Sequence, residues 1–569
     1  MAGGRSGANG QGQEARKKTS PVVQSVIVLG GLYYALKDGW AWQYVPPEFA
    51  EQARIGFMAV AGFCVLQLVL AAMRFRLRFR KALDAERPKE STHSARIATV
   101  EDIEESGICV EQGWFARLFG SVKNKVVFYA GVVGRKVLLL EAVHMLIVAP
   151  SGAGKNRNLV FIFLGLIDQP CVVTDVKGEN FEVTSGYRAR RFGQRVIRLG
   201  VGGSEAYNPL DLIKDGLAAG GGDVLTDART IALALVPEPK DERNSYWRQG
   251  GRDVITIAMI GLCVKDPDIA SLSAVQAIVT DLNMFLALCE AVEYETALEG
   301  DLAIMARGMM GMVNDKKPGG LQEYINVAKQ AMMPYAKSGI LHKLTEKSTF
   351  RYRDLKYKDA QGRHLTIYNH FDSSRRVVFE PFGAMLNACM LLELQRDPCP
   401  QRVVFINDEA ANFVVKDLPK QLTIVRGDGN VHVINVCQSR AQMRATWGAE
   451  GEQMILDNSD LKLFFAISTD EEAKKVSELC GTQNILSSSY SLGHAASDGV
   501  GENRSIAQRP VLTPEMVRRE KRAIVLYRQE RVMLVSLPGY ERCEPMRSKY
   551  AVNRRYGNKR FKGPKGVVF

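Results

Sequence analysis

The chain is 569 residues long, 46% hydrophobic and 24% charged, with a net charge of +13. This length predicts three or four folded units, and the balance excludes a mostly disordered chain, a collagen-like fibre and a many-spanning transporter. Ten cysteines are too few for a disulfide scaffold, and the closest pair, Cys389 and Cys399, lacks metal-ligand spacing; the excess of positive charge points to nucleic acid, anionic lipid or both.

Residues 1–20 are Gly-, Ser- and Gln-rich and end in Arg16, Lys17 and Lys18, which reads as a flexible basic tail. Residues 21–80 hold two apolar runs, Val22 to Leu36 and Ile55 to Met73. A helix of the second length reaches roughly 28 Å, enough for a bilayer core. Tyr33, Tyr34, Trp40, Trp42 and Tyr44 can extend the first run as an interfacial aromatic belt. The pattern predicts a two-helix transmembrane hairpin. Arg16 to Lys18 before it, and Arg74, Arg76, Arg78, Arg80 and Lys81 after it, place both termini in the cytoplasm by the positive-inside rule.

Val137 to Val148 alternates and then runs apolar, which reads as a strand, followed at once by Ala149-Pro150-Ser151-Gly152-Ala153-Gly154-Lys155-Asn156 and an apolar helical stretch. Strand, Gly-rich turn, lysine and helix form the context of a P-loop, in which backbone N–H groups cradle phosphate and Lys155 reaches the β- and γ-phosphates. Ala149 stands at the first glycine position, and Asn156 where Ser or Thr ordinarily meets Mg²⁺. Arg402 to Glu409 is a second short apolar, β-rich run, ending in the carboxylates Asp408 and Glu409, a Walker B arrangement. There Asp408 serves Mg²⁺ and Glu409 polarises the attacking water. A third run, Val431 to Val436, ends at Cys437-Gln438, where the Gln438 amide can sense the γ-phosphate. These pairings predict an ATPase using ATP and Mg²⁺.

Between the two motifs, residues 239–347 have helical periodicity and few β-branched runs, which predicts an all-α domain inserted into an α/β domain formed by 96–238 and 348–545. Residues 546–569 carry Arg547, Lys549, Arg554, Arg555, Lys559, Arg560, Lys562 and Lys565, with Tyr550, Tyr556 and Phe561 interleaved. They read as a basic C-terminal tail suited to a nucleic-acid backbone with stacking.

Together these motifs resemble the type IV secretion coupling proteins, the TraG-type ATPases of conjugation. The resemblance is carried by the N-terminal hairpin, the P-loop with its strand, Asp175-Val176-Lys177-Gly178-Glu179-Asn180, Tyr207-Asn208-Pro209-Leu210-Asp211, Asp408-Glu409-Ala410-Ala411-Asn412-Phe413 and Cys437-Gln438-Ser439. It implies a RecA-like P-loop fold with the all-α insertion, and a homo-hexameric ring with nucleotide between subunits. It also implies an arginine supplied by the neighbour, for which Arg426 lies at the matching place. Partners implied are the bacterial inner membrane, components of a secretion channel, and DNA or a relaxase–DNA complex as cargo. Three other readings stay open on sequence: a coupling protein for protein effectors, a membrane-anchored FtsK-type DNA translocase, and a non-hydrolysing scaffold.

Overall fold

Apolar sequence near the start of the chain forms two helices that pack against each other, α1 (Pro21–Lys37) and α2 (Ala50–Asp84). The computed structural model describes residues 21–37, 43–84, 95–108, 126–134, 136–238, 245–314, 320–396, 400–411, 418–428, 431–491, 501–556 and 567–568. The chain forms two compact units, one of Met1–Ala95 with Gly481–Val511 and one of Arg96–Cys480 with Leu512–Phe569.

In the first unit, the stretch Pro47–Met73 has a mean hydropathy of 2.3 and is only 6% buried, so it is long and apolar enough to cross a membrane. Phe63 and Leu66 stand exposed on it. Helix α2 continues past Met73 through the basic run to Asp84, so the expected second span is the first part of a longer helix. The expected belt residues Trp40 and Trp42, and the basic residues 16–18, lie outside the described residues. The same unit holds a two-stranded antiparallel ribbon, Thr482–Ser491 with Gly501–Pro510.

The second unit is built on strands β1 (Val127–Val133), β2 (Lys136–Glu141), β3 (His144–Val148), β4 (Cys171–Asp175), β5 (Arg195–Gly200), β6 (Leu365–His370), β7 (Val403–Asn407), β8 (Val431–Cys437), β9 (Leu461–Phe464), β10 (Ala523–Tyr527) and β11 (Met533–Val535). Strands β1 and β2 pair as a separate antiparallel ribbon. The other nine form one sheet in the order β11-β10-β9-β3-β8-β7-β4-β6-β5. It is parallel from β9 to β5 and antiparallel at the β10 and β11 end. Strands β3, β4, β7 and β8 are buried along their whole length. Their Val, Ile and Leu runs therefore lack in–out alternation, as expected when both faces of a parallel sheet are covered. His144 heads β3 inside this core, bonded to the Leu422 carbonyl, and burial pushes its imidazole down to about 4. The described cysteines, Cys171 and Cys437 among them, are buried free thiols.

No strand occurs between β5 and β6 among the described residues; that stretch is helical, its longest helix being Ser245–Lys265. The helical run starts earlier than residue 239, because Leu210–Ala218 and Val224–Leu235 already belong to it and pack on Ser245–Lys265. Another apolar helix, Arg376–Gln395, matches a membrane span in length and hydropathy, yet 67% of it is buried within this unit.

One polar group holds the sheet's first crossover in place. Arg188 on the helix Glu179–Phe192 is fully buried. Its guanidinium donates to the carbonyls of Leu164 (2.6 Å), Ile167 (2.8 Å) and Gln169 (2.9 Å), and to the Gln194 side chain (3.1 Å). These carbonyls close the helix that follows the Gly-rich turn, where helical carbonyls lack intrahelical partners. Arg188→Met should leave several buried acceptors unpaired and cost about 3 kcal/mol or more. Denaturant unfolding checks it, and stability within about 0.5 kcal/mol of the parent contradicts it.

Candidate nucleotide site

The register of the parallel sheet brings four strand ends together. Val148 at the end of β3 pairs with Cys437 of β8, and Asn407 of β7 pairs with both Asn435 of β8 and Thr174 of β4. The turn 149–155, Gln438, Asp408 and Asp175 therefore leave the sheet at one edge. Open parallel sheets place their ligand crevices at this carboxyl edge.

The turn itself is shaped by glycine. Gly152 and Gly154 have φ of +82° and +84°, the left-handed region that side chains disfavour. The chain then winds into Asn156–Val160 as a π-helix and Phe161–Leu166 as an α-helix. A π turn inside a helix is frequently a feature of functional sites. Lys155 folds back over the turn and donates to the carbonyls of Ala149 (2.7 Å) and Pro150 (3.2 Å). Burial pushes the Lys155 amine down, while the nearby Asp408 and Glu409 carboxylates oppose that shift.

Asp408 is buried beside the turn. Its Oδ2 accepts from the Asn156 amide (2.9 Å) and from the Asn180 amide (3.3 Å). Burial pushes its carboxyl up to about 6, against the pull of Asn156 and with a push from Glu409. Glu409 follows at φ +62°, a left-handed conformation that is strained for a glutamate and turns the chain at the strand end.

The Asp175-to-Asn180 string joins this centre to its surroundings. Asp175 accepts from the backbone N–H groups of Asn180 (3.3 Å) and Phe181 (2.8 Å), fixing the start of the helix Glu179–Phe192. Gly178 at φ +70° permits the bend before that helix. Burial pushes Asp175 up to about 7 despite those two bonds. The buried side-chain oxygen of Asn180 has no partner among the described residues, so an acceptor remains beside Asp408.

These groups open onto a cavity of about 860 Å³. Ser151, Gly152, Ala153, Gly154, Lys155, Asn156, Asp408 and Glu409 all line it. Pro150 and Gln438 adjoin it without lining it: the Ala149 N–H bonds the Cys437 carbonyl (3.1 Å), which places Gln438 next to the turn. Arg426 stands elsewhere. It donates to the Asn458 carbonyl and to Asp460, both at 2.7 Å, and Asp460 also accepts from the Val143 N–H at the opposite edge of the sheet.

Sequence reading gave no individual roles to Asp175 and Asn180, although Asp175 ends a strand as Asp408 does. It also treated residues 546–569 as a free basic tail. The structure differs for residues 546–556. Met546, Tyr550 and Asn553 are buried, and Arg547, Ser548 and Tyr550 to Asn553 line the cavity. The reason is apolar anchoring: Met546 and Tyr550, four residues apart, fill the space above Gly165, where a Cβ would collide with both. Residues 557–566, with Lys559, Arg560, Lys562 and Lys565, lie outside the described residues.

The sequence profile of the family described as Type IV secretory system Conjugative DNA transfer matches residues 96–534. Conjugal transfer protein TraG of Escherichia coli is 23% identical over 396 residues, covering 65% of this chain and 61% of that protein. Protein VirD4 of Rhizobium radiobacter is 26% identical over 392 residues, covering 66% and 54%. The matched region thus spans less than two thirds of either relative. Among solved structures, the plasmid coupling protein TrwB in complex with ADP and Mg²⁺ superposes with a TM-score of 0.55 at 15% identity, over 84% of this chain and 97% of that one. The unbound coupling protein TrwBdeltaN70 gives 0.54 at 16% identity, over 79% and 93%. Both likenesses show the mixed sheet with its covering helices as a shared fold. The extent of the profile match places this chain in the type IV secretory system conjugative DNA transfer family.

Proposed function

We propose that this chain is the inner-membrane coupling ATPase of a conjugative type IV secretion system, binding ATP with Mg²⁺ and driving DNA or a nucleoprotein complex toward the channel. The observation that carries the reading is the convergence of the Lys155 turn with Asp408 and Glu409 on one cavity. The family assignment and the TrwB complexes with ADP and Mg²⁺ and with an ATP analogue support it.

The residues fit the cation. Mg²⁺ binds through one or two carboxylates plus phosphates and water. Asp408 provides the carboxylate, with the Asn180 oxygen unspent nearby. When bound, Mg²⁺ would neutralise charge on the phosphates and hold them for in-line attack. The protein's own contributions are separate. Turn N–H groups and Lys155 bind phosphate oxygens, and the Lys155 amine exchanges its carbonyl partners for them. Glu409 takes the proton of the attacking water, its carboxylate aimed by the strained turn. Gln438 orients that water or senses the terminal phosphate. Asn156 holds Asp408 where a hydroxyl residue is common.

We further infer that α1 and α2 anchor the protein as a transmembrane hairpin with both termini cytoplasmic, and that the helical run between β5 and β6 is a distinct all-α domain receiving cargo. The ring is a homo-hexamer in which Arg426 reaches the neighbour's site, releasing Asp460 to do so. A DNA cargo agrees with the +13 charge.

Lys155→Ala should lower hydrolysis and DNA transfer by at least 100-fold without unfolding the protein, as loss of a charge clamp does. Parental transfer in that strain defeats the motor reading. Glu409→Gln should keep ATP binding and hydrolyse at least 100-fold more slowly; an unchanged rate removes Glu409 as base. Arg426→Ala subunits mixed with Lys155→Ala subunits should regain part of the activity that each lacks alone. No recovery at any ratio leaves Arg426 with its Asp460 contact only.

The buried carboxyls also predict a pH dependence. In the folded protein Asp175 titrates at about 7 and Asp408 at about 6, and both fall near 3.9 when unfolded. Their protonated forms therefore contribute stability that is complete below pH 4 and is lost as pH rises through 6 to 7. Without divalent cation, stability should drop by about 2 kcal/mol more between pH 5 and 7.5 in the parent than in Asp175→Asn. Equal slopes in denaturant titrations across that range refute the assignment.

A further inference from the structure

The phosphate end of the cavity is accounted for, but its far wall is not. That wall is the segment from Tyr540 to Asn553. We propose that it is the base-binding wall of the site and that Tyr540 provides the face on which the base of the nucleoside triphosphate stacks; this rests on the nucleotide reading above.

The wall is built in register with the phosphate turn. The Tyr550 hydroxyl donates to the carbonyl of Phe161, on the very helix that follows Lys155 (2.6 Å). The Ala551 N–H donates to the Val183 carbonyl (3.3 Å), the Asn553 amide to Glu179, and the Arg555 guanidinium to the Lys177 carbonyl (3.1 Å). The end of this segment, from Tyr550 on to Arg555, is thus pinned at four points along two helices and a turn.

Three aromatic rings line the cavity: Phe161, Tyr540 and Tyr550. Phe161 is fully buried and Tyr550 is 8% exposed, so both are committed to packing. Tyr540 is half-buried and keeps surface toward the cavity. Its ring is braced edge-on by Phe161 (centroids 5.2 Å, 85°) and at a tilt by Tyr550 (5.8 Å, 34°). A ring held on two sides loses little freedom when a ligand stacks on it.

Position points the same way. Arg157, two residues beyond Lys155, forms an ion pair with Glu541, the neighbour of Tyr540. The chain thus runs from the phosphate-binding lysine through Arg157 to Tyr540 along one side of the cavity. A polyphosphate seated on the turn directs its sugar and base along that side. The cavity has room for the whole nucleotide, its volume lying within the range of small-molecule sites.

The test compares ATP with inorganic tripolyphosphate, which has the phosphates and no base. The full chain is purified in detergent with Mg²⁺, and each ligand competes with a fluorescent ATP analogue. Tyr540→Ala and Tyr540→Leu should each weaken ATP by about tenfold, as loss of one stacked aromatic does, and leave tripolyphosphate within twofold. Tyr540→Phe should match the parent for both. In hydrolysis, Tyr540→Leu should raise KM with kcat nearly kept. Tyr540→Leu preserves apolar packing on Phe161, and retained tripolyphosphate binding shows the turn is intact in either variant. ATP affinity within twofold of the parent in both variants overturns the proposal, as does an equal loss for ATP and tripolyphosphate, which would make Tyr540 a prop of the turn. If the parent itself binds neither ligand, the nucleotide reading falls and this proposal with it.

Discussion

A carboxylate sealed at the end of a buried strand sets the terms for everything around it. Removing Asp408 from water without compensation would cost several kcal/mol. Two amides, Asn156 and Asn180, compensate it from different directions. Asn156 belongs to the phosphate turn and Asn180 to the helix Glu179–Phe192, so satisfying one oxygen fixes the distance between two elements. Asparagine at 156 follows from this geometry: a hydroxyl there is shorter by the reach of an amide and would have to meet Asp408 through something else.

The same helix carries the constraint outward. Asp175 sets its first turn, Asn180 holds Asp408, Glu179 holds Asn553, and Arg188 ties its middle to the end of the helix after the turn. One helix therefore touches the helix that follows the Gly-rich turn, Asp408 at the strand end, and the C-terminal wall. Asn180 and Glu179, adjacent at the start of this helix, link Asp408 to Asn553 of the segment 546–556 through two hydrogen bonds. The side chains of Asp175, Glu179 and Asn180 in that string thus each have a different partner.

Much of this was legible in the sequence where periodicity and chemistry coincide. Strands β3 and β7 announce themselves as short apolar runs ending in a glycine turn and in two acids, and the convergence of Lys155, Asp408 and Glu409 follows. The helical run before β6 was also readable, although its start at Leu210 was not, because those helices continue the α/β alternation without a break. The C-terminal wall was hidden by composition. Arg547, Lys549, Arg554 and Arg555 suggest a solvated tail, and only the Met546–Tyr550 spacing betrays a buried face. Arg188 gives no signal at all, since its partners are backbone carbonyls brought near by tertiary structure. Arg426 is the converse case: nothing in its distance along the chain from Asp408 announces Asp460, the partner it has within its own chain.

Electrostatics completes the logic of the cavity. Lys155 is half-buried, and its amine bonds to neutral carbonyls of its own turn. Those bonds use two of its three hydrogens and leave its charge balanced only through space, by Asp408 and Glu409. Burial in turn raises the Asp408 carboxyl to about 6, so its ionised form is less favoured than in water. The centre thus carries a cation whose natural counter-charge is weakened, next to a row of turn N–H groups. Such a site gains most from a ligand that brings several negative oxygens at once, and more again when a divalent cation lets Asp408 ionise fully.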